Sequence, residues 1–173
     1  MTDPENPFWE YSLAVYGRES VAGACLALQE RHGLDVNLLL FCCWAGSRAR
    51  ALGAADLERL IEAARPWQAG AVAPLRAVRR WLKAHPGPRA ERLRQKIKLD
   101  ELEAEAIEQL ILAEALPVPD GAGGPAAIVA NMAAYFEALG IDADATDTAD
   151  LAAVLRGCCP DLAPLEAVRL LTG

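Results

Sequence analysis

Residues that carry acid–base, nucleophilic and metal chemistry are scarce in this chain. Two histidines, His32 and His85, and three serines, Ser12, Ser20 and Ser47, occur among 173 residues. No serine neighbours a histidine, and no Gly-x-Ser-x-Gly elbow is present, so the sequence signals of a serine hydrolase are missing. No Gly-x-x-x-x-Gly-Lys-Ser/Thr loop and no Gly-x-Gly-x-x-Gly fingerprint occurs, which removes the usual phosphate and dinucleotide cradles. The five cysteines, Cys25, Cys42, Cys43, Cys158 and Cys159, form no Cys-x-x-Cys. An odd count argues against a closed disulfide framework, and adjacent cysteines chelate a metal poorly. They read as small apolar filler in a reduced compartment. No metal and no cofactor is implied.

Long apolar runs are also lacking. The longest, Leu38 to Ala45, has eight residues, against the roughly 20 that a membrane span needs. Met1-Thr2-Asp3-Pro4-Glu5 is acidic and has no signal-peptide pattern. The expected location is cytoplasmic, without a membrane span.

What is abundant is alanine and leucine, 60 residues together, against 19 of valine, isoleucine and threonine. That balance favours helix over strand. The expected fold is all-α, an irregular bundle of about seven to nine helices. Asn6-Pro7 opens the first helix and Gly33 closes the second. Asp35 caps a third, expected to run from Val36 to Leu52 and to lie at the centre because it holds the apolar run. A short helix is expected over 54–64. Another runs from Pro66 to Ala84, kinked at Pro74. His85-Pro86-Gly87-Pro88 is a turn, and a long helix follows at 89–116. The expected organisation is a main bundle at 1–116, a Pro/Gly linker at 117–125, and a C-terminal helical extension at 126–173 packed on the bundle.

The net charge is −7, unevenly spread. Residues 65–98 hold ten basic side chains and one acid, Glu91, whereas residues 99–173 hold fourteen acids and two arginines. Arg76, Arg79, Arg80 and Lys83 share one helical face by spacing. Arg89, Arg92 and Lys96 share another beyond the turn. Basic residues at the start of a long helix oppose its dipole, so the arrangement calls for a separate reason. One is internal pairing with the acidic C-terminal segment. The other is an anionic partner. Glu101, Glu105 and Glu108 share a helical face in part and read as solvated.

A few polar residues stand in apolar company. Asn37 immediately precedes the apolar run, and Gln29 and His32 end the preceding helix. With Arg48 they outline a possible ligand pocket. Asn6-Pro7-Phe8-Trp9, the stretch from Cys25 to Gly33, and Asp35-Val36-Asn37 followed by Leu38 to Cys42 resemble a proteobacterial family of short helical proteins of unknown function. Pro74-Leu75-Arg76, Leu93-Arg94 and Lys96 fit the same pattern. The resemblance covers roughly residues 5–116 and implies a cytoplasmic helical protein, with no reaction attached.

The first functional reading is a non-enzymatic interaction or adaptor protein. It presents a basic helical hairpin, Arg76, Arg79, Arg80, Lys83, Arg89, Arg92 and Lys96, as one mostly exposed patch to an acidic protein or other anionic partner. The alternative is a binding protein or enzyme for a small anionic or apolar ligand near Gln29, His32, Asn37 and Arg48. A nucleic-acid-associated factor ranks last, because the rest of the chain is acidic and carries no nucleic-acid motif.

Overall fold

A computed structural model describes residues 6–173, so the acidic start Met1–Glu5 lies outside the described residues. The all-α expectation holds. Nine α-helices and one π-helical turn make up the regular structure, with no strand among the described residues. They are α1 (Pro7–Tyr16), α2 (Val21–His32), α3 (Val36–Ser47), α4 (Ala54–Trp67), the π-turn (Gln68–Val72), α5 (Ala73–Lys83), α6 (Pro88–Ala115), α7 (Pro125–Ala138), α8 (Ala145–Cys158) and α9 (Pro164–Thr172).

Local signals start the first helices. The Asn6 side chain accepts from the backbone N–H groups of Phe8 and Trp9, and Asp35 accepts from Asn37 N–H at 2.8 Å. Gly33, at φ +66°, ends α2 in the left-handed region that glycine tolerates best.

The centre of the fold is α3. Every residue from Asn37 to Gly46 is buried, because α1, α2, α6, α7 and α8 all pack on it. Phe8, Phe41 and Trp44 form an aromatic triangle with centroids 5.2–5.5 Å apart, joining α1 to α3.

The central helix stops at Ser47 rather than Leu52. Ala49 turns to φ +60°, and the Pro/Gly segment crosses just there. Gly123 N–H donates to Ser47 O at 2.8 Å, and a Cβ on Gly123 would sit 1.9 Å from Gly46 O. The departing backbone is then held by Asn131 of α7, which accepts from Leu52 N–H and donates to the carbonyls of Cys42 and Arg50. Residues of α7, α8 and α9 join the same hydrophobic core as α1–α4.

The chain passes through Pro66 without a break, so α4, the π-turn and α5 form one rod. Ala73 N–H reaches back five residues to Gln68 O. This wide turn directly precedes Pro74, whose ring needs room at the carbonyl four residues earlier. Within the tertiary structure α5 packs on the π-turn and on α6. The α5–α6 pair is an antiparallel hairpin with a free outer side.

Candidate functional site

The long helix α6 is inverted relative to the usual amphipathic rule. Glu101, Ala104, Glu108 and Gln109 are buried, while Leu99, Leu102, Ile107 and Leu110 are exposed, Leu99 by 66%. Glu101 and Gln109 meet Ser12 of α1, Asn37 of α3 and Arg76 and Arg79 of α5 at the floor of a cleft of about 300 Å³, and Glu108 is buried behind it. Its upper walls are apolar: Trp9 and Leu13 of α1, Leu26 of α2, and Leu99 and Leu102 of α6.

A directed relay crosses this floor. Ser12 Oγ donates to Gln109 Oε1 at 2.9 Å, Gln109 Nε2 donates to Asn37 Oδ1 at 2.8 Å, and Asn37 Nδ2 donates to Glu108 Oε2 at 2.7 Å. Glu108 has no exposed surface, and its Oε1 has no partner if the carboxyl is ionised. The Asp35 carboxyl lies within hydrogen-bond reach of it. Burial, with the Asp35 charge beside it, pushes Glu108 up to about 9. Asp35 is raised too, chiefly by burial. Two carboxyls this close share one proton. A protonated Glu108 beside Asp35 avoids placing two charges in the same buried corner. Tyr135 of α7 braces the corner, accepting from Asp35 N–H at 3.1 Å and donating to Asp35 O at 3.3 Å.

A second cluster borders the first. Arg76 donates through Nε to Glu101 at 3.0 Å and through Nη2 to Glu105 at 2.7 Å. Arg79 grips both oxygens of Glu101. Burial raises the Glu105 carboxyl despite Arg76, whereas the two arginines hold Glu101 below its ordinary range against its own burial.

Among the seven basic residues expected to be mostly exposed, Arg76 and Arg79 are the two that are not. Arg76 and Arg79 turn toward α6 and are spent on Glu101 and Glu105, because α6 presents those acids to that side of α5. Arg80, Lys83, Arg89, Arg92 and Lys96 are exposed on the hairpin. Arg80 makes only a 3.8 Å contact with the exposed Glu30. The expected pocket residues also divide. Gln29 and Asn37 line the cleft. His32 instead holds Asp147 of α8 at 2.8 Å, beside Arg31. Arg48 pairs with Asp120 and lies over the Trp44 ring. The first ties α2 to α8 and the second ties the end of α3 to the Pro/Gly segment, both away from the cleft.

Asp35, Arg76, Arg79 and the three glutamates are site residues whose inward orientation the sequence reading missed. The signal available was the spacing of Glu101, Glu105 and Glu108 at i, i+4 and i+7, one face of a helix. A run of glutamates on a long helix reads as a solvated face, which hid it.

The cysteines show no disulfide among the described residues. Cys25, Cys42 and Cys43 are fully buried, and burial raises their thiols except that at Cys43 the neighbouring Cys158 contributes most. No cluster of three metal-ligating side chains occurs among the described residues. No described helix is long and apolar enough to cross a membrane.

These features define a small all-α protein, built round one buried helix, with a basic hairpin and a polar-floored cleft on one flank. Residues 7–112 match the family described as a protein of unknown function (DUF2390), and the chain belongs to that family. The matched span contains α1 to α5 and nearly all of α6, hence both the hairpin and the cleft. No curated protein and no solved structure matches the chain.

Proposed function

We propose that the protein is a non-enzymatic interaction module that presents the α5–α6 hairpin to an acidic partner bearing an apolar anchor. The observation that supports this most is Trp81, 60% exposed at the end of α5 and stacked on His85 at 3.8 Å. Around it on the hairpin stand Arg80, Lys83, Arg89, Arg92 and Lys96, with Val78 and Leu93 also uncovered. Tryptophan and arginine are the side chains most enriched at interface centres. Charge of one sign on a protruding element steers an oppositely charged partner and fixes its register. The free cysteines fit a reduced, cytoplasmic setting.

The reading is tested with tagged protein isolated from its own cells at low and high salt. Wild type should retain an acidic protein in stoichiometric amount at low salt and lose it at high salt. The triple variant R80E/W81A/K83E should lose it at both, with its melting temperature within a few degrees of wild type. Retention of the same chains by wild type and variant alike, or of none by either, would overturn the hairpin as a docking element.

A further inference from the structure

We infer that the cleft between α1, α2, α3, α5 and α6 is a binding site for a small uncharged amide with an apolar body, its amide group paired with that of Gln29. The cleft lies apart from Trp81 and the exposed arginines of the hairpin. The charges that line it are matched. Three carboxylates, Asp35, Glu101 and Glu105, stand against three cations, Arg76, Arg79 and Lys98. Glu101 and Glu105 are held by Arg76 and Arg79, and Asp35 accepts from the backbone N–H of Asn37. The floor is closed on itself in the same way, since Ser12, Gln109 and Asn37 bond to one another. A cationic head would meet two guanidiniums and an ammonium, and an anionic head three carboxylates. Either brings a charge that the lining does not answer into a site partly withdrawn from water. Lys98 is exposed, and an ion pair made there gains little over water.

What the lining leaves open is uncharged. Gln29 Oε1, on α2, is buried and has no partner. The indole Nε1–H of Trp9, on α1, is buried and has no acceptor. One is an acceptor and the other a donor, and each costs free energy as it stands. The Gln29 side chain is half-buried, and rotation about its last bond, a soft torsion, turns either end of its amide toward the cleft. A primary amide answers that group in full. Its N–H donates to Gln29 Oε1 while its carbonyl accepts from Gln29 Nε2. The carbonyl keeps a second lone pair, which suits the unpaired indole N–H.

The walls call for the apolar body. A volume of about 300 Å³ is at the lower end of small-molecule pockets. Leu13 of α1, Leu26 of α2, and Leu99 and Leu102 of α6 all line the cleft and are all exposed. A single exposed leucine is ordinary, but four from three helices round one opening make a continuous apolar rim. A short hydrocarbon chain covers it while the amide sits inside.

The probes are octanamide, octanoate and octylammonium, which share a chain length and differ in head charge. They are titrated calorimetrically into the full chain at neutral pH. Octanamide should bind once per chain, about tenfold or more tighter than either ion, because its head leaves no charge unanswered. Gln29→Leu keeps the bulk of the side chain and removes its amide. It should weaken octanamide about threefold to tenfold, the range of a neutral hydrogen bond, and leave the two ions unchanged. Circular dichroism confirms that the variant is folded. If it is not, Trp9→Phe, which keeps an aromatic ring and removes the N–H, takes its place with the same expected loss. Equal binding of the three probes, tighter binding of either ion, undiminished octanamide affinity in the folded variant, or no binding below millimolar concentration would each overturn the inference.

Discussion

Asn37 donates to Glu108 Oε2 over 2.7 Å and thereby joins helices whose contact residues are 71 positions apart in the chain. The same amide accepts from Gln109, so one side chain holds two buried polar groups of α6 against the head of α3. Asn37→Leu fills the space but strips both partners. Unpaired buried groups of this kind cost about 1–3 kcal/mol. Urea melts should show a loss in that range with an unchanged denaturant slope. Stability equal to wild type would mean that water replaces the amide and that the relay is not a structural brace.

The shared proton makes stability fall with rising pH. In the unfolded chain the Glu108 carboxyl loses its proton near 4.5, whereas the folded protein retains it to about 9. Between those values the native state binds more protons than the unfolded state, and the stability contributed by the relay declines as pH rises. Glu108→Gln keeps a donor toward Asp35 and an acceptor toward Asn37 but has nothing to titrate. Its stability relative to wild type should therefore improve across this window, by at most about 1.4 kcal/mol per pH unit. Parallel slopes for the two proteins from acid to alkaline pH would remove the proton from the relay.

The helix starts were legible from residues that act locally. Asn6 and Asp35 cap the helices that their positions predict, and the apolar run from Leu38 to Ala45 marks the buried helix. The end of α3 was not legible, because a segment more than 70 residues later lies across Gly46 to Ala49 and Asn131 captures the backbone beyond it. The inward turn of Arg76 and Arg79 was hidden for the same reason. Helical spacing groups them with Arg80 and Lys83, but only the position of Glu101 decides which members of that face look inward. On α6 the apolar pattern was misleading. Leu99 and Leu102 are spread over the cleft mouth, while Glu101 and Glu108 are buried.

The split of the basic face makes two charge changes unequal. Glu101 is 5% exposed and serves both Arg76 and Arg79. Glu101→Gln leaves two partly buried guanidiniums short of an anion, and breaking such pairs costs about 3–5 kcal/mol. Since both arginines retain some solvent contact, a loss near the lower end is expected, smaller in high salt. Arg80 and Glu30 are each more than half exposed, so Arg80→Glu should change stability by about 1 kcal/mol or less. Chemical denaturation of the two variants at two salt concentrations checks the contrast. Equal losses would mean that the whole basic face works as one surface.

Backbone meets backbone where α3 crosses α7. A Cβ on Gly46 would stand 2.6 Å from Ile128 Cα and 2.9 Å from Ala127 O. These are backbone atoms, so no rotamer change relieves the clash and α7 must move away. Gly46→Ala should therefore cost about 1–3 kcal/mol despite the better helix propensity of alanine. The displacement should also be felt at the cleft, because α7 carries Tyr135, whose hydroxyl holds the backbone N–H of Asp35. Exchange of that amide hydrogen should speed up in the variant. Gly70, in the π-turn, has nothing within 4 Å of its Cβ position, and Gly70→Ala serves as the control. There the reduced freedom of the unfolded chain should leave stability equal or higher. If Gly46→Ala matches the Gly70→Ala control in both melts and exchange, the two helices have slack between them, and α7 does not set the position of Asp35.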